Sequence, residues 1–205
     1  MAGRLAPSGH RFLPELSMIA ELGVAATAAL RERLFNRTGQ PDYAAALTAH
    51  AREAGRVAAA VAADAPRALV PPIDGEDAAD LASRLREVVE AARRTSRLAD
   101  LIRPDLPNAT VAHFADLVVQ AADSLEGAVA TLTDRTRALD FARDVRRLRH
   151  EGELTFVEAT GLLVTAAPDA LGAVRQVAMY RALRESLRSC AHAAGLVERI
   201  ALKRF

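Results

Sequence analysis

The sequence predicts an all-α protein, an elongated antiparallel six-helix bundle made of two three-helix halves at approximately residues 1–103 and 104–205. Hydrophobic residues make up 51% of the 205-residue chain, but aromatic residues only 4%, and tryptophan is absent. A chain rich in alanine, leucine, arginine and glutamate has the composition of long helices. Prolines and glycines divide it into segments, and within them apolar residues recur every three or four positions, which is the period of a helix.

The first two helices are predicted over about Pro14 to Phe35 and Asp42 to Ala63. Gly39 suits the C-terminal cap of the first helix, and Pro41 suits the first turn of the second. The second helix is rich in alanine, and small side chains favour a close approach between helices.

The third helix follows the segment LVPPIDGED, which begins at Leu69. Pro71 and Pro72 cannot continue a helix, because they lack N–H donors and clash with the preceding turn. Asp74 can then cap the new helix. Its apolar positions alternate by four and three, as in a bundle seam: Leu81, Leu85, Val88, Ala92, Thr95, Ala99 and Ile102.

The second half begins after the segment RPDLPN, from Arg103 to Asn108. Helices four and five are predicted over about Thr110 to Leu132 and Ala138 to Val164, with a bend at Gly152 in the fifth. The sixth follows TAAPD and runs from about Ala170 to Lys203. Its apolar stripe comprises Val174, Val177, Leu183, Leu187, Ala191, Ala194, Val197 and Leu202.

Charge and cysteine content narrow the classes of function. The net charge is +1, from 27 basic and 26 acidic residues, so we expect no nucleic-acid partner. The single Cys190 excludes an internal disulfide and fits a reducing cytoplasm. No apolar run approaches the ~20 residues that span a bilayer, and the N-terminus lacks the apolar stretch of a signal peptide. We therefore expect a soluble cytoplasmic protein.

Two segments resemble the PhoU-like family, in particular its branch of Pit phosphate-transporter accessory proteins. The family's central signature reads Thr-Pro-Phe or Thr-Pro-Ile, then Asp-Arg-Glu-Asp-Ile and Leu-Ala-Ser, and this chain has related residues over Pro71 to Asp77 and Leu81 to Ser83. The ending GLVERIALKRF is similar to the family's Val-Leu-Glu-Gly-Ile-Val-Leu-Lys tail. The resemblance implies a non-enzymatic regulator, without a cofactor, that contacts a membrane phosphate transporter at the inner face of the membrane.

The resemblance also implies metal-binding motifs, in which carboxylates one helical turn apart offer hard oxygen ligands to cations. In this chain, however, arginines stand where the family tends to place acids: Arg86, Arg149, Arg181 and Arg188. The carboxylates that remain as candidate metal ligands are Glu87, Glu90, Glu153 and Glu185. The favoured alternative is that they form salt bridges, with Glu90 pairing with Arg94 and Glu185 with its flanking arginines. We predict that no transition metal is bound stoichiometrically.

The run DVRRLRHE is the most basic part of the chain, and its arginines Arg146, Arg147 and Arg149 are the predicted partner surface. They could meet acidic lipid or an acidic transporter loop, and the alternative is a solvated helix face. Cys190 lies near the apolar stripe of helix six, which predicts a core residue rather than a nucleophile. The alternative function is a metal-free interaction scaffold with an unrelated partner, and a homo-oligomer is left open.

Overall fold

The structure, a computed structural model, describes residues 12–35, 42–67, 73–102, 108–166 and 169–203. These ranges contain six α-helices and no β-strand, which confirms the all-α prediction. The helices are α1 (Leu13–Phe35), α2 (Tyr43–Asp64), α3 (Gly75–Ile102), α4 (Ala109–Ala130), α5 (Arg135–Ala166) and α6 (Ala170–Lys203), with a short 3₁₀ helix, Ala65–Arg67, after α2. The predicted breaks at Gly39, Pro71–Pro72 and Ala167–Pro168, and residues 103–107 of the central break, lie outside the described residues.

Local capping explains where the helices after α1 begin. The side-chain oxygen of an Asp or Asn accepts a hydrogen bond from a backbone N–H in each first turn, which satisfies a donor that has no partner inside the helix. At the predicted cap Asp74, the backbone N–H of Asp77 donates to Oδ1 at 2.7 Å. The five capping residues are Asp42, Asp74, Asn108, Asp134 and Asp169.

The helices pack in two groups of three. Helices α1, α2 and α3 contact one another, as do α4, α5 and α6, and the α1–α4 and α3–α6 contacts join the groups. The predicted seam of α3 faces the core, because Leu81, Leu85, Val88, Ala92 and Thr95 are all buried. This packing surrounds α6 with α3, α4 and α5, and the site described below lies on the face of α6 that these helices leave open.

The predicted apolar stripe of α6 is wrong at two positions. Leu183 and Leu187 are buried, whereas Val174 is 65% exposed and Leu202 is 52% exposed. The helical period explains the position of Val174: it precedes Leu183 by nine residues, about two and a half turns, and therefore lies on the opposite side of the helix.

Two glycines mark places where a neighbouring element lies close to the helix backbone. Helix α5 continues through Gly152, where an added Cβ would lie 2.4 Å from Cδ1 of Leu187 on α6. At the start of α3, a Cβ on Gly75 would lie 2.1 Å from the carbonyl oxygen of Ala65. Gly75 stands where the PhoU-like signature has arginine, and the approach of Ala65 leaves no room for a side chain there.

Helix α1 departs from the expectation that no segment is apolar enough to cross a bilayer. By length and composition it is the one helix in the described part of the chain that could do so. An apolar core helix meets the same criteria, and α1 packs against α2, α3 and α4 with Leu16, Ile19 and Leu30 buried.

The two segments that carry the family resemblance meet in space. Asp77, in the first turn of α3, is almost fully buried and accepts a hydrogen bond from Nζ of Lys203 at 2.7 Å. Arg199 approaches both Asp77 and Asp80 at 3.4 Å. These ion pairs fix the C-terminal end of α6 to the N-terminal end of α3, so the two helices run antiparallel.

Candidate functional site

Glu153 on α5 is surrounded by three arginines. The Nε of Arg188 donates a hydrogen bond to it at 2.9 Å, and guanidinium nitrogens of Arg184 and Arg149 lie 3.6 Å away. Because Arg184 and Arg188 belong to α6, this cluster joins α5 to α6. The carboxylate is about one quarter exposed, so water and guanidinium groups both solvate it.

The arginines keep Glu153 ionised. Burial is the largest single influence and raises its pKa, but the hydrogen bond from Arg188 and the charges of Arg188, Arg184 and Arg149 together outweigh it. The pKa of Glu153 is therefore lowered, as expected for a carboxylate beside opposite charges.

The other three metal-ligand candidates also pair with arginines. Glu185 lies 3.6 Å from Arg188, one of the two arginines that flank it in sequence. Glu90 pairs with Arg93 at 2.9 Å, so the prediction that it pairs with Arg94 is wrong. Arg94 instead reaches Glu87, seven residues before it and two turns away on the same face of α3.

Guanidinium groups thus occupy the surroundings of all four carboxylates. Within the described ranges, no group of three or more His, Cys, Asp or Glu side chains is placed to hold a metal ion. An arginine has no lone pair to offer a cation and repels it. The predicted absence of stoichiometric metal stays a prediction, and elemental analysis can test it.

The basic run on α5 is paired within the chain. Arg146 forms an ion pair with Glu198 on α6, and Arg149 contributes to the cluster around Glu153. Arg147 lies 3.8 Å from both Asp144 and Glu151. All three arginines are exposed, but intrachain acids offset their charge. Their role as a partner surface stays a prediction.

Cys190 is fully buried, as predicted for a core residue. Burial raises the pKa of its thiol to about 12. The thiol is therefore protonated at neutral pH and shielded from reagents, which makes it unsuited to act as a nucleophile.

An open apolar groove of about 780 Å³ lies along the outer face of α6. Helix α6 supplies most of its lining, while α5 contributes Leu163 and Val164 and α3 contributes Leu98. Because α3 and α5 each pack against α6 but scarcely against each other, they form opposite walls of the groove. The α6 residues of the lining are Ala173, Val174, Val177, Ala178, Arg181, Ala182, Arg184 and Glu185.

The helices of the second group differ in length, which leaves the end of α5 beyond the start of α4. Helices α5 and α6 have 32 and 34 residues, whereas α4 has 22. A short turn joins α4 to α5, so the end of α5 extends roughly 15 Å past α4 at ~1.5 Å per residue. The second half of α5 and the first turns of α6 carry most of the large apolar side chains that are exposed in the described part of the chain: Leu154, Val157, Leu162, Val164, Leu171 and Val174.

The predicted apolar stripe of α6 includes Val174 and Val177, and the groove was not predicted. A sequence signal was present, because apolar residues lie on both sides of the TAAPD segment and Val174 is out of phase with Leu183. Glu153 and Glu185, two of the candidate metal ligands, lie at one end of the groove, beside the lining residue Arg184. The predicted arginine run is not part of the lining.

The fold is similar to that of a PhoU-like protein from Shewanella oneidensis MR-1 that is known from a crystal structure. The TM-score is 0.68 over 96% of this chain and 98% of that chain, and the two sequences are 12% identical. No protein-family profile matches this chain, and no curated protein matches it. At this identity the similarity shows the fold alone, and it supports the predicted PhoU-like architecture. The more specific assignment to the Pit accessory branch stays a prediction.

Proposed function

We propose that this protein is a non-enzymatic regulator or accessory protein of phosphate transport, which acts by protein–protein contact with a membrane transporter. In this proposal it works in the cytoplasm, at the inner face of the membrane. The PhoU-like fold supports the setting, and the residues resembling the Pit accessory branch support the choice of a phosphate transporter. The observation that carries the docking role is the open apolar groove on α6.

The groove suits a protein contact better than a reaction. Exposed apolar patches of this kind on soluble proteins mark interaction sites. The carboxylates at the end of the groove are held by arginines, and the buried thiol of Cys190 is protonated at neutral pH. The groove thus offers apolar contact area with charged groups at one end.

Affinity purification of the protein from its native cell tests the proposal. We expect a phosphate permease to accompany the wild-type chain and to be lost with Val174→Asp, which places a charge in the groove at an exposed position. Deletion of the gene should alter phosphate uptake or its regulation. Unchanged uptake after deletion, with no permease recovered, would refute the phosphate assignment.

The predicted arginine surface can be tested in the same purification. Reversal of Arg146, Arg147 and Arg149 to glutamate should leave helicity intact, because exposed charges contribute little to stability. If this variant loses the permease while Val174→Asp keeps it, the docking surface is the arginine run and not the groove. If Val174→Asp alone loses it, the groove is the contact.

The alternative function is a metal-free scaffold with an unrelated partner. The pairing of Glu87, Glu90, Glu153 and Glu185 with arginines favours it, since these residues correspond to the metal motifs of the resembled family. A reproducible partner other than a phosphate permease, lost with Val174→Asp, would select this alternative.

A further inference from the structure

We propose that the groove on α6 binds an amphipathic helix of a partner protein, with acidic residues beside the apolar face of that helix. The proposal rests on the proposed docking function for its biological setting. Its physical basis is the shape, the lining and the uncompensated charge of the groove.

The shape of the groove matches a helix. Its α6 lining runs from Ala173 to Glu185, about 18 Å at ~1.5 Å per residue, or between three and four helical turns. Ala178 and Ala182 lie one turn apart on the floor, and such small side chains let a second helix approach to about 8–10 Å between axes. Leu98 on one wall and Leu163 and Val164 on the other would contact the sides of the bound helix.

The charge of the groove selects an acidic partner. Arg181 is exposed in the lining and forms no ion pair with any residue of the described ranges. Arg184 is already paired, because its guanidinium lies 3.6 Å from Glu153 and its Nε is buried. The lining carboxylate, Glu185, pairs with Arg188. An incoming carboxylate would therefore find the exposed guanidinium of Arg181 and little repulsion, which is the complementarity that orients partners.

A protein helix fits these observations better than a bilayer or a second copy of the chain. The groove is concave, and Leu163, Val177 and Ala178 are only partly exposed within it. A flat lipid surface would contact the rim and leave these residues without partners. A second copy would bring the same arginine-bearing face, so Arg181 would meet like charge if the two grooves faced each other.

The test uses the purified full chain and a designed peptide of about 18 residues with leucines at helical spacing and glutamates beside them. A second peptide carries lysines in place of the glutamates, and a third is a scrambled version of the first. Isothermal titration calorimetry measures the affinity of each. We expect the glutamate peptide to bind, the lysine peptide to bind at least about tenfold more weakly, and the scrambled peptide not to bind.

Variants of exposed residues locate the binding site without affecting folding. Val174→Asp should weaken binding of the glutamate peptide by about tenfold or more, because it places a charge in the apolar contact. Leu202→Asp is the matched control, an exposed apolar residue on the same helix outside the groove, and should leave binding unchanged. Arg181→Glu should reverse the preference between the glutamate and lysine peptides, whereas Arg52→Glu, at an exposed position on α2, should not.

Three outcomes would overturn the proposal. The first is equal affinity for the glutamate and lysine peptides, or binding that Val174→Asp leaves unchanged. The second is binding to vesicles of phosphatidylglycerol and phosphatidylcholine that Val174→Asp abolishes, which would assign the groove to lipid. The third is a concentration-dependent dimer, seen by sedimentation velocity, that Val174→Asp abolishes. None of these depends on phosphate uptake, so this inference and the proposed function can fail independently.

Discussion

Replacing Gly75 with alanine should destabilise the protein. The added Cβ would lie 2.1 Å from the carbonyl oxygen of Ala65 and 2.7 Å from its carbonyl carbon. Both are backbone atoms, so no rotamer change can relieve the contact. The 3₁₀ helix that follows α2 and the first turn of α3 would have to move apart, which would also disturb the cap at Asp74.

The expected magnitude follows from overpacking. Inserting a methyl group into a filled site typically costs about 1–3 kcal/mol, and a clash with backbone belongs at the upper end. Alanine regains part of this because it favours the helical backbone by up to ~1 kcal/mol over glycine. The net loss of unfolding free energy should be about 2–3 kcal/mol. For a chain of this size, that lowers Tm by about 4–12 °C.

Gly195→Ala provides the matched control. Gly195 lies in α6 with nothing within 4 Å of an added Cβ, so only the backbone effect remains. This variant should gain about 0.5–1 kcal/mol. Thermal and urea denaturation, followed by far-UV circular dichroism, measures both variants. If Gly75→Ala is as stable as Gly195→Ala, the inference that Ala65 leaves no room for a side chain at Gly75 is refuted.

Three further predictions concern the residues of the candidate site. Glu153→Gln should lower the free energy of unfolding near neutral pH. Because the folded-state pKa of Glu153 is lowered, the difference in stability from wild type should vanish as the pH falls through that pKa. If urea denaturation finds the two proteins equally stable at all pH values, the pairing of Glu153 with the arginines is refuted. Cys190, whose pKa burial raises to about 12, should react with a thiol reagent only at the rate of unfolding, and rapid labelling of the native protein would contradict its burial. Elemental analysis should find less than one iron or zinc per chain. One metal ion per chain in the wild type, with less in Glu90→Ala or Glu185→Ala, would overturn the prediction that no metal is bound.

The sequence determined the helices because their signals are local. Capping by Asp74 and the seam of α3 each depend on residues within a few turns of one another. The predicted and observed ranges of α6 coincide from Ala170 to Lys203. The burial of Cys190 likewise followed from its place near the apolar stripe of α6. Local chemistry therefore fixed the fold class.

Only the tertiary structure decided which charges pair and which apolar residues stay exposed. Arg146 reaches Glu198 and Arg188 reaches Glu153 across helices, and no spacing along one helix specifies such partners. Glu90 has three arginines within one turn, Arg86, Arg93 and Arg94, and the structure pairs it with Arg93. The walls of the groove come from Leu98 on α3, which is distant from α6 in sequence, and from Leu163 and Val164 on α5. Burial is a property of the whole packing arrangement, and the sequence of one segment does not contain it.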